Sequence, residues 1–381
     1  MRLGYIPGRG WLPAVLGVLL ELAACPPAAA AADVQAAMTA MKRGVDWILA
    51  HPATAHDGGF KDLVDEALFF RVFLQWGRKC CPDPRLSAAR DRALDRLLDS
   101  GVMERWIGRP HKSLLDHYHV LLAAYLLEQG GRGVPHREEL IAQAERALAT
   151  DRNGLSTVRL AVALLLRRLG AEPPLSPEAL RETGFVARLT APHSPGRTLG
   201  ARRALDLHPF VFYALVHEIA LLTDFGALQP SPWLASRRAA LLDLLEAGVR
   251  QALAAGSVDR LSELLLAMDI LGGCGRPVVN EAVDFLVSTQ LPDGSWGVQT
   301  RRRANPVRHA VQTATAALMA AQGCGAGAYA VRLHDSPDNV GVLPAADEQT
   351  EHRKLPAQRG ERRALRAVVF TPGACREPET S

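Results

Sequence analysis

The sequence has little of what several classes of protein depend on. Only 6% of its 381 residues are aromatic, whereas a sugar-binding cleft usually stacks rings on tryptophan. The net charge of +4 is small, and the basic residues do not cluster with aromatic ones, which argues against a nucleic-acid partner. A phosphate-binding glycine loop, a Gly-x-Ser-x-Gly elbow and a His-Glu-x-x-His helix are absent. Without cysteine pairs at zinc spacing, a cysteine-based zinc site is also disfavoured.

After the N-terminal segment, no apolar run reaches the roughly 20 residues that a membrane span requires. Residues 1–31 fit a signal peptide, because Arg2 and Arg9 precede an apolar run at 12–24 that small residues follow. We therefore expect export from a bacterial cytoplasm. The run Leu-Ala-Ala-Cys ending at Cys25 also resembles a bacterial lipobox, which implies acylation of Cys25 and a lipid anchor in the membrane. Ordinary cleavage among the alanines at 28–32, giving a periplasmic protein, is the alternative.

Helical periodicity is the main pattern that is present. Strongly apolar segments recur about every 50 residues, a spacing typical of repeat architectures. They are 65–76, 115–129, 156–169, 209–225, 260–271 and 308–322. A more polar amphipathic segment precedes each one, at 34–50, 86–100, 137–150, 177–189, 233–254 and 279–290. The sequence therefore predicts six hairpins, each made of one outer and one inner helix.

This alternation predicts an all-α fold, because a helix that is apolar nearly all round must be buried while one with a charged face covers the outside. An (α/α)6 toroid satisfies both requirements. Glycines end the inner helices and predict left-handed caps there, at Gly77, Gly130, Gly170, Gly226, Gly272 and Gly323. An open superhelix of helix pairs shares the repeat without closing and is the alternative.

The segment 281–296 ends an amphipathic helix with a turn that delivers a tryptophan. Its key residues are Ala282, Phe285, Leu286, Gln290, Gly294 and Trp296. They resemble the Gln-Trp repeat of the terpenoid cyclase and protein prenyltransferase superfamily. A degenerate second copy consists of Arg43, Gly44, Trp47, Ile48, Gly58 and Phe60, with Pro52 at the glutamine position. The resemblance implies a closed toroid with a ligand cavity on its central axis, lined by inner-helix residues.

The catalytic motifs of that superfamily are missing. The Asp-x-Asp-Asp acid of squalene-hopene-type cyclases does not occur. His309 matches the position of the histidine zinc ligand of prenyltransferase β subunits, but the accompanying cysteine is absent. We expect one toroid domain over 32–325, without either chemistry. The tail 326–381 is polar and predicted to be largely disordered, with a docking strand at 368–370 as the alternative.

Polar residues on the fourth inner helix are candidates for a site. Tyr213, His217 and Asp224 share one helical face, and Glu218 lies beside them. A buried histidine and a buried aspartate are costly unless they are paired, which suggests a function. Alternatively, His217 bonds a neighbouring helix and Asp224 caps the helix end.

Other candidates lie at the beginnings of inner helices. Asp116 and His119 share a face and are suited to bind a divalent metal or relay a proton. Asp116 equally suits a helix N-terminus. Asp65 belongs to an acidic rim at the start of the first inner helix, whereas His309 and Gln312 open the last one. We expect these three to face a ligand, although a solvated rim also explains Asp65.

Cys274 and Cys324 each stand between two glycines at the ends of consecutive inner helices. Export permits disulfides, so these two are predicted to pair at one rim of the toroid. Two free, half-buried thiols are the alternative.

Two functions follow. The first is a binding domain whose central cavity holds an unknown ligand. The second is a lyase or hydrolase of an extracytoplasmic polymer or lipid, with His217 and His119 as acid and base and Asp116 or Asp224 orienting them. This enzyme works either with a divalent metal as cofactor or without one. The low aromatic content favours the first.

Overall fold

The computed structural model describes residues 31–54, 60–77, 83–109, 113–151, 154–191, 208–297 and 306–324. These residues form helices and no strand, with one isolated bridge between Gln290 and Trp296. The expectation of an all-α fold is thereby confirmed. Cys25 and the segment 326–381 lie outside the described residues. Of the helices described, none has the length and apolarity that crossing a membrane would require.

The described helices follow the predicted alternation of polar and apolar segments. In chain order they are α1 (Ala31–Ala50), α2 (Phe60–Gly77), α3 (Pro84–Asp99), α4 (Val102–Ile107), α5 (Leu114–Gln129), α6 (Arg137–Thr150), α7 (Ser156–Arg168), α8 (Pro177–Glu182), α9 (Phe185–Thr190), α10 (Pro209–Leu222), α11 (Pro232–Ala235), α12 (Arg238–Ala254), α13 (Val258–Ile270), α14 (Pro277–Thr289) and α15 (Pro306–Met319), with a π-helical turn at Ala320–Cys324. The six apolar segments are α2, α5, α7, α10, α13 and α15.

The apolar helices contact one another in a closed order. Helix α2 packs on α5, α5 on α7, α7 on α10, α10 on α13 and α13 on α15, and α15 packs on α2. The amphipathic helices α3, α6 and α12 pack against the apolar helices next to them in sequence, and α1 packs on both α14 and α15. The first and last described helices are therefore neighbours.

The segment 281–296, which resembles the Gln-Trp repeat, connects the first of the described helices to one of the last. The Nε2 atom of Gln290 donates to the carbonyl oxygen of Ala40 at 2.8 Å and to that of Gly294 at 3.0 Å. Trp296 is fully buried, and its Nε1 donates to the carbonyl of Leu286 at 2.8 Å. The segment therefore ties the turn after α14 to α1.

The predicted outer helix at 177–189 is wrong as a single helix, because it divides into α8 and α9. The cause is Glu218, which is fully buried on α10. Its carboxylate accepts hydrogen bonds from the backbone N–H groups of Phe185 and Val186, both at 2.8 Å, and so begins a new helix there. Gly184 makes room for this carboxylate, since a Cβ atom would lie 2.7 Å from one of its oxygens.

The predicted glycine caps are correct at three positions and differ at the others. Gly170, Gly226 and Gly272 have φ between +69° and +79°. Gly77 instead lies in the last turn of α2, and Gly131, not Gly130, takes the left-handed conformation after α5. Gly323 belongs to the π-helical turn.

Candidate functional site

An open cavity of about 600 Å³, a volume that includes solvent at its mouth, lies between α2, α10, α13 and α15. Its polar lining residues are Asp65, His309, Gln312 and Thr313, and its apolar ones are Leu68, Phe69, Val72, Trp76, Ala220, Phe225, Leu266, Ile270 and Ala316. Because polar residues come from the early turns of their helices and most apolar ones from later turns, the cavity has a polar end and an apolar end.

His309 on α15 lies between three carboxylates from two other helices. Its Nδ1 atom is 3.4 Å from Oδ2 of Asp65 on α2. Its Nε2 atom is 3.3 Å from Oε1 of Glu263 and 3.5 Å from Oδ1 of Asp259, which are four residues apart on α13. One third of the His309 side chain is exposed. The imidazole therefore connects α2, α13 and α15 and remains accessible.

These contacts set the protonation states of the cluster. Burial alone would lower the pKa of His309, but its hydrogen bonds to Asp65 and Glu263 raise this pKa well above its usual value. Burial would raise the pKa of Asp65, but the hydrogen bond and charge of His309 lower it to about 2. Burial would likewise raise the pKa of Glu263, but the hydrogen bond and charge of His309 lower it. The pKa of Asp259 is raised by burial, which the charge of His309 only partly opposes. Without a bound cation, the cluster holds an imidazolium between carboxylates.

Carboxylates outnumber cations at this end of the cavity. Asp62 adds to the three already named, and burial together with the charge of Asp65 raises the pKa of Asp62. Lys61 forms an ion pair with Asp65. The guanidinium of Arg308 donates to the carbonyl of His51 instead. The excess negative charge favours a cation at this end of the cavity.

Asp259, Glu263 and His309 have the geometry to hold a divalent metal. Each offers one donor atom, and the three atoms lie within 4.8 Å of one another. Zinc bonds of about 2.1 Å in a tetrahedron place neighbouring donor atoms about 3.4 Å apart, close to the two Nε2–oxygen distances measured here. The carboxylate of Asp65 lies beside Nδ1 of His309. Metal-binding histidines commonly have a carboxylate in this position, which orients the ring.

Other predicted residues surround this cluster. The charge of Asp65 reaches His119, whose pKa is lowered by burial and raised in part by that carboxylate. The charge of His217 lowers the pKa of Glu263. The ring of His217 packs against Tyr213 at a centroid distance of 4.0 Å. His119 and His217 therefore lie within electrostatic range of the cluster, but neither is among the residues that line the cavity.

Asp116 has a local role at the start of α5. Its carboxylate accepts hydrogen bonds from the backbone N–H and the hydroxyl of Ser113, at 2.8 and 2.7 Å. The hydroxyl in turn accepts from the backbone N–H of Asp116 at 3.2 Å. This is a capping box, so Asp116 is used at the helix terminus and is separate from the His309 cluster.

Asp224 follows α10 and is paired away from His217. Its Oδ2 atom accepts from Tyr125 at 2.7 Å and from Arg71 at 2.5 Å. Its Oδ1 atom lies 3.2 Å from Nη1 of Arg168. The predicted His217 and Asp224 pair is not formed, and Asp224 instead joins the ends of α2, α5, α7 and α10. Glu218, the remaining residue of that predicted group, caps α9.

The sequence interpretation missed Asp259 and Glu263. The predicted inner helix began at 260, which left Asp259 outside it, whereas α13 begins at Val258. The available signal was a pair of acids at i and i+4 near the start of a mostly apolar helix. Such a pair places two carboxylates on one face of the helix.

Cys274 forms a disulfide bond. The side chain of Cys324 lies outside the described residues, so the pairing of these two cysteines stays a prediction. A disulfide at this position fastens the turn between α13 and α14.

Neither a curated protein nor a solved structure matches the chain. The resemblance to terpenoid cyclases and prenyltransferases therefore stays a prediction. One family model, described as "Domain of unknown function (DUF6895)", matches residues 34–367. That span includes all the described helices except the first residues of α1, and it continues past the predicted domain boundary at 325. Since it covers most of the sequence, the chain belongs to the DUF6895 family.

Proposed function

We propose that the chain is an (α/α)6 toroid that binds a small amphipathic ligand in its central cavity. The closed order of contacts among α2, α5, α7, α10, α13 and α15 supports the toroid, since an open superhelix would leave its first and last inner helices apart. The Gln290 hydrogen bond to Ala40 supports closure in the outer layer as well.

The observation that carries the binding function is the two-ended cavity. From Asp65 to Trp76 the wall formed by α2 is about 16 Å long at the helical rise per residue. A ligand with a polar group near His309 and an apolar body beside Trp76 and Ile270 matches this lining. Apolar walls with a few placed polar groups are typical of small-molecule sites.

We further propose that the protein works outside the cytoplasm, in the periplasm or attached to a membrane through acylated Cys25. The disulfide at Cys274 supports this location, because disulfides persist in oxidising compartments and are rare in the cytosol.

A series of 1-alkanols from hexanol to dodecanol tests the binding function by calorimetry. Each methylene buried in the cavity contributes about 0.8 kcal/mol, or about four-fold in affinity. We expect affinity to rise with each methylene until the alkyl chain of the alkanol fills the cavity, and then to stop rising. Ala220→Leu narrows the cavity and should stop the gain at a shorter alkanol, whereas the exposed control Ala88→Leu should not. Absence of binding, or a series that Ala220→Leu does not change, refutes the proposal.

A second candidate function is a metal-assisted hydrolase or lyase acting on an extracytoplasmic lipid or polymer. The position of His309 between Asp259 and Glu263, with Asp65 behind it, favours this activity. A divalent cation bound there would lower the pKa of a coordinated water and polarise a carbonyl group at the polar end of the cavity.

Elemental analysis tests this candidate on protein purified without chelator and dialysed against zinc. We expect about one zinc ion per chain, held by three protein ligands. Glu263→Gln and His309→Ala should each abolish stoichiometric zinc, whereas the exposed control Glu138→Gln should retain it. Folded wild-type protein without zinc would rule out the metal-assisted mechanism and leave the binding function intact.

A further inference from the structure

Two hydrogen-bond donors in the cavity wall have no partner among the described residues. The Nε1 atom of Trp76 and the Nε2 atom of Gln312 are both buried without a hydrogen bond. Both side chains line the cavity, and the two residues are 6% and 3% exposed. An indole nitrogen can only donate, so the polar atom of Trp76 requires an acceptor.

The other polar side chains of the lining are satisfied. Thr313 donates its hydroxyl to the carbonyl of His309 at 3.0 Å, while Asp65 and His309 bond each other. The unmatched donors are therefore confined to Trp76, near the apolar end, and Gln312, one helical turn after His309. Burying a donor without an acceptor destabilises the protein, and the remaining neighbours in the cavity are apolar.

A pure hydrocarbon would leave both donors unmatched in the bound state. A ligand with correctly placed oxygen atoms would supply the acceptors that these donors lack. The two donors therefore discriminate between ligands of the same shape and different polarity.

We propose that the cavity selects amphiphiles that carry two hydrogen-bond acceptors, such as ketone, ester or ether oxygens, one for Trp76 and one for Gln312, over hydrocarbons of the same length. This inference rests on the proposed binding function and specifies the chemical class of its ligand.

Competition against 1-anilinonaphthalene-8-sulfonate bound to the protein in the presence of EDTA tests this selectivity. The probes are 1-octene, without an acceptor, and 2,7-octanedione, with two. Trp76→Phe removes the indole N–H and keeps an aromatic ring, and Gln312→Met removes the amide and keeps its length. Trp233→Phe is the matched control, because Nε1 of Trp233 also lacks a partner but its ring lies outside the cavity against Arg181 and Arg237.

The quantity to compare is the affinity for the dione divided by the affinity for octene. When this quantity is compared between variants, the free energy of transferring each probe from water cancels. We expect this ratio to fall about five- to ten-fold in Trp76→Phe and in Gln312→Met, the value of one hydrogen bond each, and to stay constant in Trp233→Phe. Measurable octene binding in both variants shows that the cavity is intact, and the ratio corrects for any change in octene affinity itself.

An unchanged ratio in both variants, with octene still bound, overturns the inference and leaves the binding function standing. A fall in one variant alone overturns the two-acceptor class in favour of a ligand with one acceptor. Failure of both probes to bind the wild-type protein refutes the binding function itself.

Discussion

Replacing Asp224 by asparagine should cost more stability than any exposed charge on the molecule. The carboxylate is 9% exposed and faces two guanidinium groups, those of Arg71 and Arg168, as well as the hydroxyl of Tyr125. Asparagine has nearly the same size and tolerates the left-handed backbone that Asp224 adopts, with φ of +49°. The substitution therefore removes the charge and leaves the shape and the backbone unchanged.

Removing one partner from a buried ion pair typically costs about 3–5 kcal/mol, because the remaining charge is left uncompensated. Here two arginines would be left facing each other, so we expect a loss of about 4 kcal/mol. For a domain of this size that loss lowers the melting temperature by about 8 °C. Asp224→Ala should cost about 1 kcal/mol more, since alanine resists the left-handed conformation.

Guanidinium chloride unfolding followed by circular dichroism measures the loss. The control is Asp95→Asn, which breaks a pair with Arg132 whose carboxylate is 56% exposed and should cost less than about 0.5 kcal/mol. Adding Arg168→Met to Asp224→Asn should restore part of the stability, because it removes one uncompensated cation. A loss below about 1 kcal/mol for Asp224→Asn, or no coupling with Arg168→Met, would show that water already solvates these groups.

Three further substitutions test individual contacts. Gln290→Ala should cost about 1–2 kcal/mol in denaturant unfolding, because the carbonyl of Ala40 loses its side-chain donor; a neutral result would mean that the bond is dispensable for closure. Gly184→Ala should cost about 1–3 kcal/mol, because its Cβ would meet the carboxylate of Glu218, whereas Gly133→Ala, with open space around it, should change stability by less than about 0.5 kcal/mol. The hydrogen bonds from Ser113 hold the pKa of Asp116 below its usual 3.8 although burial opposes them. The stability advantage of wild type over Asp116→Asn should therefore be full above pH 3.8 and disappear as the pH falls through the lowered pKa; an advantage that persists at lower pH contradicts this account.

The helices could be predicted from the sequence because each apolar segment is long enough to show its period. The division between α8 and α9 could not, because the group that begins α9 is Glu218, which is more than 30 residues away in sequence. Local propensity contains no information about a carboxylate that arrives from another helix.

The candidate site could be predicted only in part for the same reason. His309, Asp65 and Gln312 were expected to face the cavity because they stand at the openings of inner helices. That His309 would meet Asp259 and Glu263 depends on the rotation of α13 against α15, which a linear pattern does not contain. The helical pattern of the sequence places Asp224 on one face with His217. In the structure, however, Asp224 pairs with arginines from α2 and α7.

The contact of α1 with α14 and α15 has a consequence for biosynthesis. The hydrogen bond between Gln290 and Ala40 spans 250 residues, so α1 cannot make its contacts with α14 and α15 until almost the whole chain has been synthesised. Contacts of such long range are slow to form during folding. A chaperone that binds the face of α1 used for these contacts would therefore protect it during synthesis until α14 and α15 are available.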